Sequence, residues 1–90
     1  MDITDPSTVS RFFNREGRIA AFPAKADRKL QLLSYLAEQF DMGERYSESE
    51  VDEVLARYYD DYIYLRRSLI EFGLFDRDPA TAMYWRVAQG

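Results

Sequence analysis

The chain has 90 residues, room for one small domain, and a domain of this size buries roughly 60–65% of the surface its unfolded form exposes. Lys and Arg number 12 against 16 Asp and Glu, a formal net charge of -4, with neither His nor Cys. Those two zeros exclude Cys–His and Ser–His nucleophile pairs, zinc sites of the Cys/His kind and disulfide scaffolds, while 47% hydrophobic and 16% aromatic residues exclude simple disorder. There is no run of about 18 apolar residues, and the acidic start Met1-Asp2-Ile3-Thr4-Asp5-Pro6 is wrong for a secretory signal, so a cytoplasmic chain with no membrane contact is expected.

The first helical signal is Asp5-Pro6-Ser7, with Asp5 as N-cap and Pro6 in the first turn. Val9, Phe12 and Phe13 share one face of this short helix, which Gly17 ends. Arg18-Ile19-Ala20-Ala21-Phe22 is a short apolar run closed by Pro23, either a strand or an extended segment. A second helix is predicted from about Asp27 to Phe40. Its stripe is Leu30, Leu33, Ala37 and Phe40, with Leu36 beside it and Gly43 as stop. Glu44-Arg45-Tyr46 is a connector. Ser47-Glu48-Ser49-Glu50 matches a capping box opening a third helix, whose acidic first turns suit the macrodipole and whose buried face is Val51, Val54, Leu55 and Tyr58. Asp60 or Asp61 caps a fourth helix with Tyr62, Leu65, Leu69 and Phe72 inward and Gly73 as stop. Leu74-Phe75-Asp76-Arg77 and Ala82-Met83-Tyr84-Trp85-Arg86-Val87 flank the turn signal Asp78-Pro79-Ala80-Thr81 and read as a hairpin.

The expected fold is α+β and mostly α, a winged helix-turn-helix-like domain of four helices with a C-terminal β-hairpin. The whole chain is one domain. The winged-helix-like part spans about 27–88, preceded by the N-terminal helix and extended segment at 5–23. Tyr46 falls where the small first strand of such a fold pairs with the hairpin. The competing arrangement is an α+β domain whose hairpin only closes the core.

The residues also resemble a known family. The matching pieces are Arg11-Phe12-Phe13, Gly17-Arg18-Ile19, Pro23-Ala24-Lys25, Leu30 to Leu36 and Phe40. They continue with Arg45 to Asp52, Asp61, Leu65-Arg66-Arg67-Ser68-Leu69, Phe72-Gly73-Leu74 and Tyr84-Trp85. Together they are similar to the bacterial domain family of unknown function DUF2087. The chain departs from the pattern at Asp52, where the family usually has Asn, and at Asp78-Pro79-Ala80-Thr81, where Gly is frequent. The resemblance implies a small domain found alone or fused behind DNA-binding regulator domains. It implies no activity.

Candidate contact residues fall in two groups. In a winged helix the fourth helix is presented outward, with Asp60, Asp61, Tyr64, Arg67, Ser68 and Glu71 on its solvent face. Arg66, Arg67 and Ser68 suit phosphate, and Arg suits guanine. The competing role for Arg66 or Arg67 is an ion pair with the acidic third helix. The second group, Lys25, Arg28 and Lys29, surrounds a helix start able to hold an anion, or it is a solvated start capped by Asp27. Among the aromatics, Tyr58, Tyr62 and Trp85 are expected in the core, and Tyr59 and Tyr64 at a partner.

Charge is uneven along the chain. Residues 1–29 carry +2, residues 30–64 carry -7 and residues 65–90 carry +1. Phosphate neutralisation supplies most DNA affinity, so the acidic middle works against direct binding. No Gly-rich phosphate loop, nucleophile elbow or Asp-rich calcium loop is present. The expectation is a non-enzymatic module of transcriptional regulation without cofactor, catalytic residue or metal site. It would act through a protein partner or homodimer, or through weak or assisted DNA binding. The alternative is a protein–protein adaptor or ligand-sensing domain with no nucleic-acid contact.

Overall fold

The computed structural model describes residues 9–88. Its elements run α1 (Ala26–Ala37), β1 (Arg45–Tyr46), α2 (Glu48–Ala56), α3 (Tyr62–Glu71), β2 (Phe75–Arg77) and β3 (Tyr84–Arg86). The domain is α+β and mostly helical. Its described residues hold three α-helices, the last three of the four predicted, and one antiparallel sheet of order β1-β3-β2.

Of the first predicted helix, the described portion contains a 3-10 helix at Ser10–Phe12, and the proposed start Asp5-Pro6-Ser7 lies outside the described residues. The chain leaves the helix at Phe13, which is extended, rather than at Gly17. Asn14 is the cause. Its side-chain oxygen accepts from the N–H groups of Glu16 and Arg18, and its carbonyl accepts from Gly17 N–H at 3.1 Å. This local bonding competes with helix continuation, and Gly17 supplies the left-handed φ of 78° that the turn needs. Arg18 to Phe22 is neither a strand nor an extended run: the chain bends at Arg18, Ala20 and Ala21, with only the bridge Phe13↔Ile19 between them, and Ile19 N–H donates to the Tyr58 carbonyl at 2.7 Å.

α1 starts without a side-chain cap. Lys25 is the N-cap residue and makes no capping bond, so Asp27 lies inside the first turn instead of capping it. The helix also ends at Ala37, short of Phe40. Gln39 and Phe40 N–H groups bond three residues back to Leu36 and Ala37, tightening the exit. Leu32, Leu33, Leu36, Ala37 and Phe40 are buried while Leu30 is only partly so. The buried arc is wider than the predicted stripe and includes Leu32, because α1 is covered from more than one side.

α2 opens as its sequence requires. Ser47 Oγ accepts from Glu50 N–H at 3.1 Å, and Glu50 Oε1 accepts from Ser47 N–H at 2.8 Å. Asp61, not Asp60, caps α3, accepting from Tyr64 N–H at 3.2 Å. Val51 and Leu55 of α2 meet Leu65 and Leu69 of α3 in a core shared with Leu33, Leu36 and Phe40.

Tyr46 pairs with Tyr84 and Arg45 with Trp85, so β1 joins the hairpin through β3. The pleat sends alternate side chains to opposite faces. Tyr84 is buried and Arg86 on the same face donates to the Phe40 carbonyl. Trp85 therefore points away from the core, against expectation, with the Arg45 guanidinium 4.8 Å from its ring. Tyr58 and Tyr62 are partly buried against the core.

Candidate functional site

The sequence offers eight contact residues, and the fold gives them different tasks. Lys25 and Arg28 are exposed at the start of α1, and Lys29 is half-buried beside them. Just upstream, the Phe22 ring stacks on Tyr59 at 5.6 Å and meets Tyr64 edge-on at 5.2 Å. Tyr59 thus spends a ring face inside the domain and is partly buried, whereas Tyr64 keeps an exposed surface.

Arg66 is withdrawn from the surface. Its side chain is 13% exposed and donates to Asp52 at 2.5 Å, with a second contact to Glu48 at 2.7 Å. Both carboxylates belong to α2, so Arg66 fastens one helix to the next. Burial disfavours its charge, but the Asp52 hydrogen bond and the charges of Asp52 and Glu48 outweigh that and hold the guanidinium above its ordinary range. Ser68 is buried rather than on the solvent face, one position round the helix from where the pattern places it. Arg67 stays exposed and makes no ion pair among the described residues.

A groove of about 760 Å³ lies between α3 and the hairpin, with Tyr64, Arg67, Ile70, Glu71, Arg77 and Tyr84 in its lining. Arg77 sits over the Tyr84 ring at 5.7 Å. Lys25, Arg28 and Lys29 do not line this groove. Its lining acids, Glu48 and Glu71, offset much of its positive charge. A smaller hollow of about 350 Å³ is lined by Val9, Phe13, Tyr35 and Tyr58, where burial, then the neighbouring Tyr35 phenol, pushes the Tyr58 phenol above its usual range. Among the described residues no group of three or more acidic side chains is placed to hold a metal ion, and no helix is long and apolar enough to cross a membrane.

Two features escape the sequence reading. Ile63 and Ile70, seven apart on α3, are 47% and 36% exposed. Their signal is the spacing 63, 67, 70 on the side opposite Leu65 and Leu69. Arg18 is the second. It donates to the Ala56 carbonyl at 2.9 Å and the Arg57 carbonyl at 3.2 Å and pairs with Asp60 at 2.5 Å, closing the C-terminal end of α2. No local pattern announces a bond across about forty residues.

A family model described as an uncharacterized protein conserved in bacteria, DUF2087, matches residues 18–86, most of the chain. The chain belongs to the DUF2087 family. Neither the curated proteins nor the solved structures contain a match. The DUF2087 match excludes Arg11-Phe12-Phe13 and Gly17, which lie before its first residue. It begins at Arg18 and ends at Arg86, the arginines that hold the carbonyls of Ala56 and Phe40. In this DUF2087 domain Asp52, standing where the resemblance calls for Asn, gives Arg66 a full negative charge to bond.

Proposed function

We propose that this DUF2087 domain is a winged-helix-like, non-enzymatic module of transcriptional regulation that works through protein contacts on the outer face of α3. The order α1-β1-α2-α3-hairpin, with β1 on the hairpin's inner strand, supports the winged-helix reading. The link to transcription rests on what the resemblance to the family implies, a small domain found alone or fused behind DNA-binding regulator domains. The make-up of the α3 face carries the choice of partner class. Its exposed residues are Ile63, Tyr64, Arg67, Ile70 and Glu71, three of them apolar, one cationic and one anionic.

A DNA reader presents donors and cations at the start of its recognition helix. Here that start holds Asp60 and Asp61, and Arg66 is neutralised by Glu48 and Asp52. Protein interfaces favour apolar and aromatic side chains with an occasional Arg, which describes this face better. The carboxylates at the start of α2 have structural duties in capping and in holding Arg66, so no acid–base pair is assigned.

Fluorescence anisotropy with labelled random-sequence duplex DNA, between about 50 mM and about 200 mM salt, tests the reading. The expected result is no saturable binding at the low-salt end. Binding that weakens steeply with salt and is lost in Arg67→Ala would replace it with direct DNA recognition.

A further inference from the structure

Four large apolar side chains stand exposed among the described residues, and three of them, Ile63, Tyr64 and Ile70, lie on α3. Such clustering on one helix face marks a contact surface, whereas single exposed apolar residues such as Met42 do not. Arg67 and Glu71 complete the face. They are four residues apart on one helix, yet neither makes an ion pair among the described residues.

The charges select the occupant. A polyanion or an acidic peptide attracted by Arg67 also meets Glu71, with Asp60 and Asp61 at the same end of the helix as Tyr64. A basic partner meets Arg67 and Arg77. An apolar face with one free charge of each sign is matched by a face with the same composition in reverse order. An antiparallel copy of α3 has that composition. In a two-fold pairing centred close to Ile70, Arg67 of each copy faces Glu71 of the other, and the two Ile70 side chains meet between them. One pair of residues thereby supplies two ion pairs around an apolar centre. The sheet offers no competing route through β2, because the Asp76 carboxylate accepts the Arg77 N–H at 2.8 Å and blunts that edge.

We infer that the partner of the α3 face is a second copy of this chain, docked antiparallel through Ile70 with reciprocal Arg67–Glu71 pairs. The inference rests on reading α3 as a protein-contact face and names what it contacts.

Light scattering coupled to size exclusion, on the full chain over a concentration series, gives the first result. The expected mass rises from monomer to dimer with concentration. Arg67→Glu and Glu71→Arg, both at exposed positions, should each weaken the dimer by on the order of tenfold or more through like-charge contacts. An equimolar mixture of the two variants should recover it, since each then faces its opposite charge twice. Ile70→Asp should stay monomeric while still melting as a cooperatively folded domain. A wild-type chain that is monomeric throughout overturns the inference, as does a mixture that stays monomeric or a dimer indifferent to both charge changes. Those failures leave the contact-face reading standing, because only salt-sensitive DNA binding removes that.

Discussion

Replacing Arg66 with Met keeps the length and apolar stem of the side chain and deletes its charge. The structure sets the cost. The Asp52 partner is 25% exposed and accepts a charge-assisted hydrogen bond, a class worth about 1.5–3 kcal/mol when broken. The Glu48 partner is 45% exposed, so its pair has the weak value of a surface bridge, below about 1 kcal/mol. Burial of the Met side chain recovers part of the loss. The net expectation is a destabilisation of about 2–3 kcal/mol, or roughly 10–20 °C in Tm for a domain this small. Urea denaturation followed by both circular dichroism and Trp85 fluorescence measures it. The double cycle with Asp52→Asn isolates the pair and should return a coupling above about 1 kcal/mol. Arg66→Lys should rescue only in part, because a point charge on a flexible stem does not span two carboxylates as a planar fork does. A cost for Arg66→Met below about 0.5 kcal/mol, or strict additivity with Asp52→Asn, would refute the assignment of Arg66 as the fastening between α2 and α3.

Other outcomes follow from the same geometry. Leu69→Ala and Leu33→Ala, both fully buried, should each cost about 2–5 kcal/mol by denaturation, and a loss well under 1 kcal/mol at both would mean the helical faces are misassigned. Ala82 holds a left-handed φ of 57° in the hairpin loop, so Ala82→Gly should stabilise the domain by about 0.5–1 kcal/mol, the relieved strain exceeding the added chain entropy. Asp78 accepts the Ala80 N–H, foremost among the contacts that lower its pKa. Its stabilising effect on the hairpin is therefore present above the usual carboxylate pKa of about 3.9 and is lost as pH falls through the lowered folded value. A carboxyl-carbon NMR titration should place Asp78 below the ordinary carboxylate value, and Asp78→Asn should remove that part of the acid response.

The parts of the fold legible in the sequence were those governed by local chemistry. Ser47 and Glu50 form their capping box because both bonds lie within one turn, and Asp61 caps α3 for the same reason. The hairpin is legible because two short runs of β-favouring residues flank the Asp78-Pro79 turn signal, whereas the pairing of Tyr46 follows only from the element order, since Glu44-Arg45-Tyr46 by itself reads as a connector. Burial on α1 is set by tertiary cover that spacing does not show: Leu32 is buried, outside the predicted stripe, on a helix met both by α3 and by the N-terminal segment through Phe13 and Arg11. The inward residue of β3 depends on register, and the register selects Tyr84 over Trp85. At the candidate site the sequence identified Arg67 and Tyr64 as outward, but Ser68 lies at the boundary of the face and falls inside. Arg66 presented two roles, and only the approach of α2 decides for the ion pair. Arg18 binds its carbonyls across so much intervening chain that no spacing rule reaches them.

The most specific claim is that the outer face of α3 docks on a second copy of this chain. Backbone amide shifts of the isotope-labelled chain, recorded as its concentration is raised at fixed salt, test that most directly. The changes should gather at Arg67, Ile70 and Glu71 and vanish in Ile70→Asp. Changes that gather instead around Lys25, Arg28 and Lys29, or spectra unaltered by concentration, would contradict it.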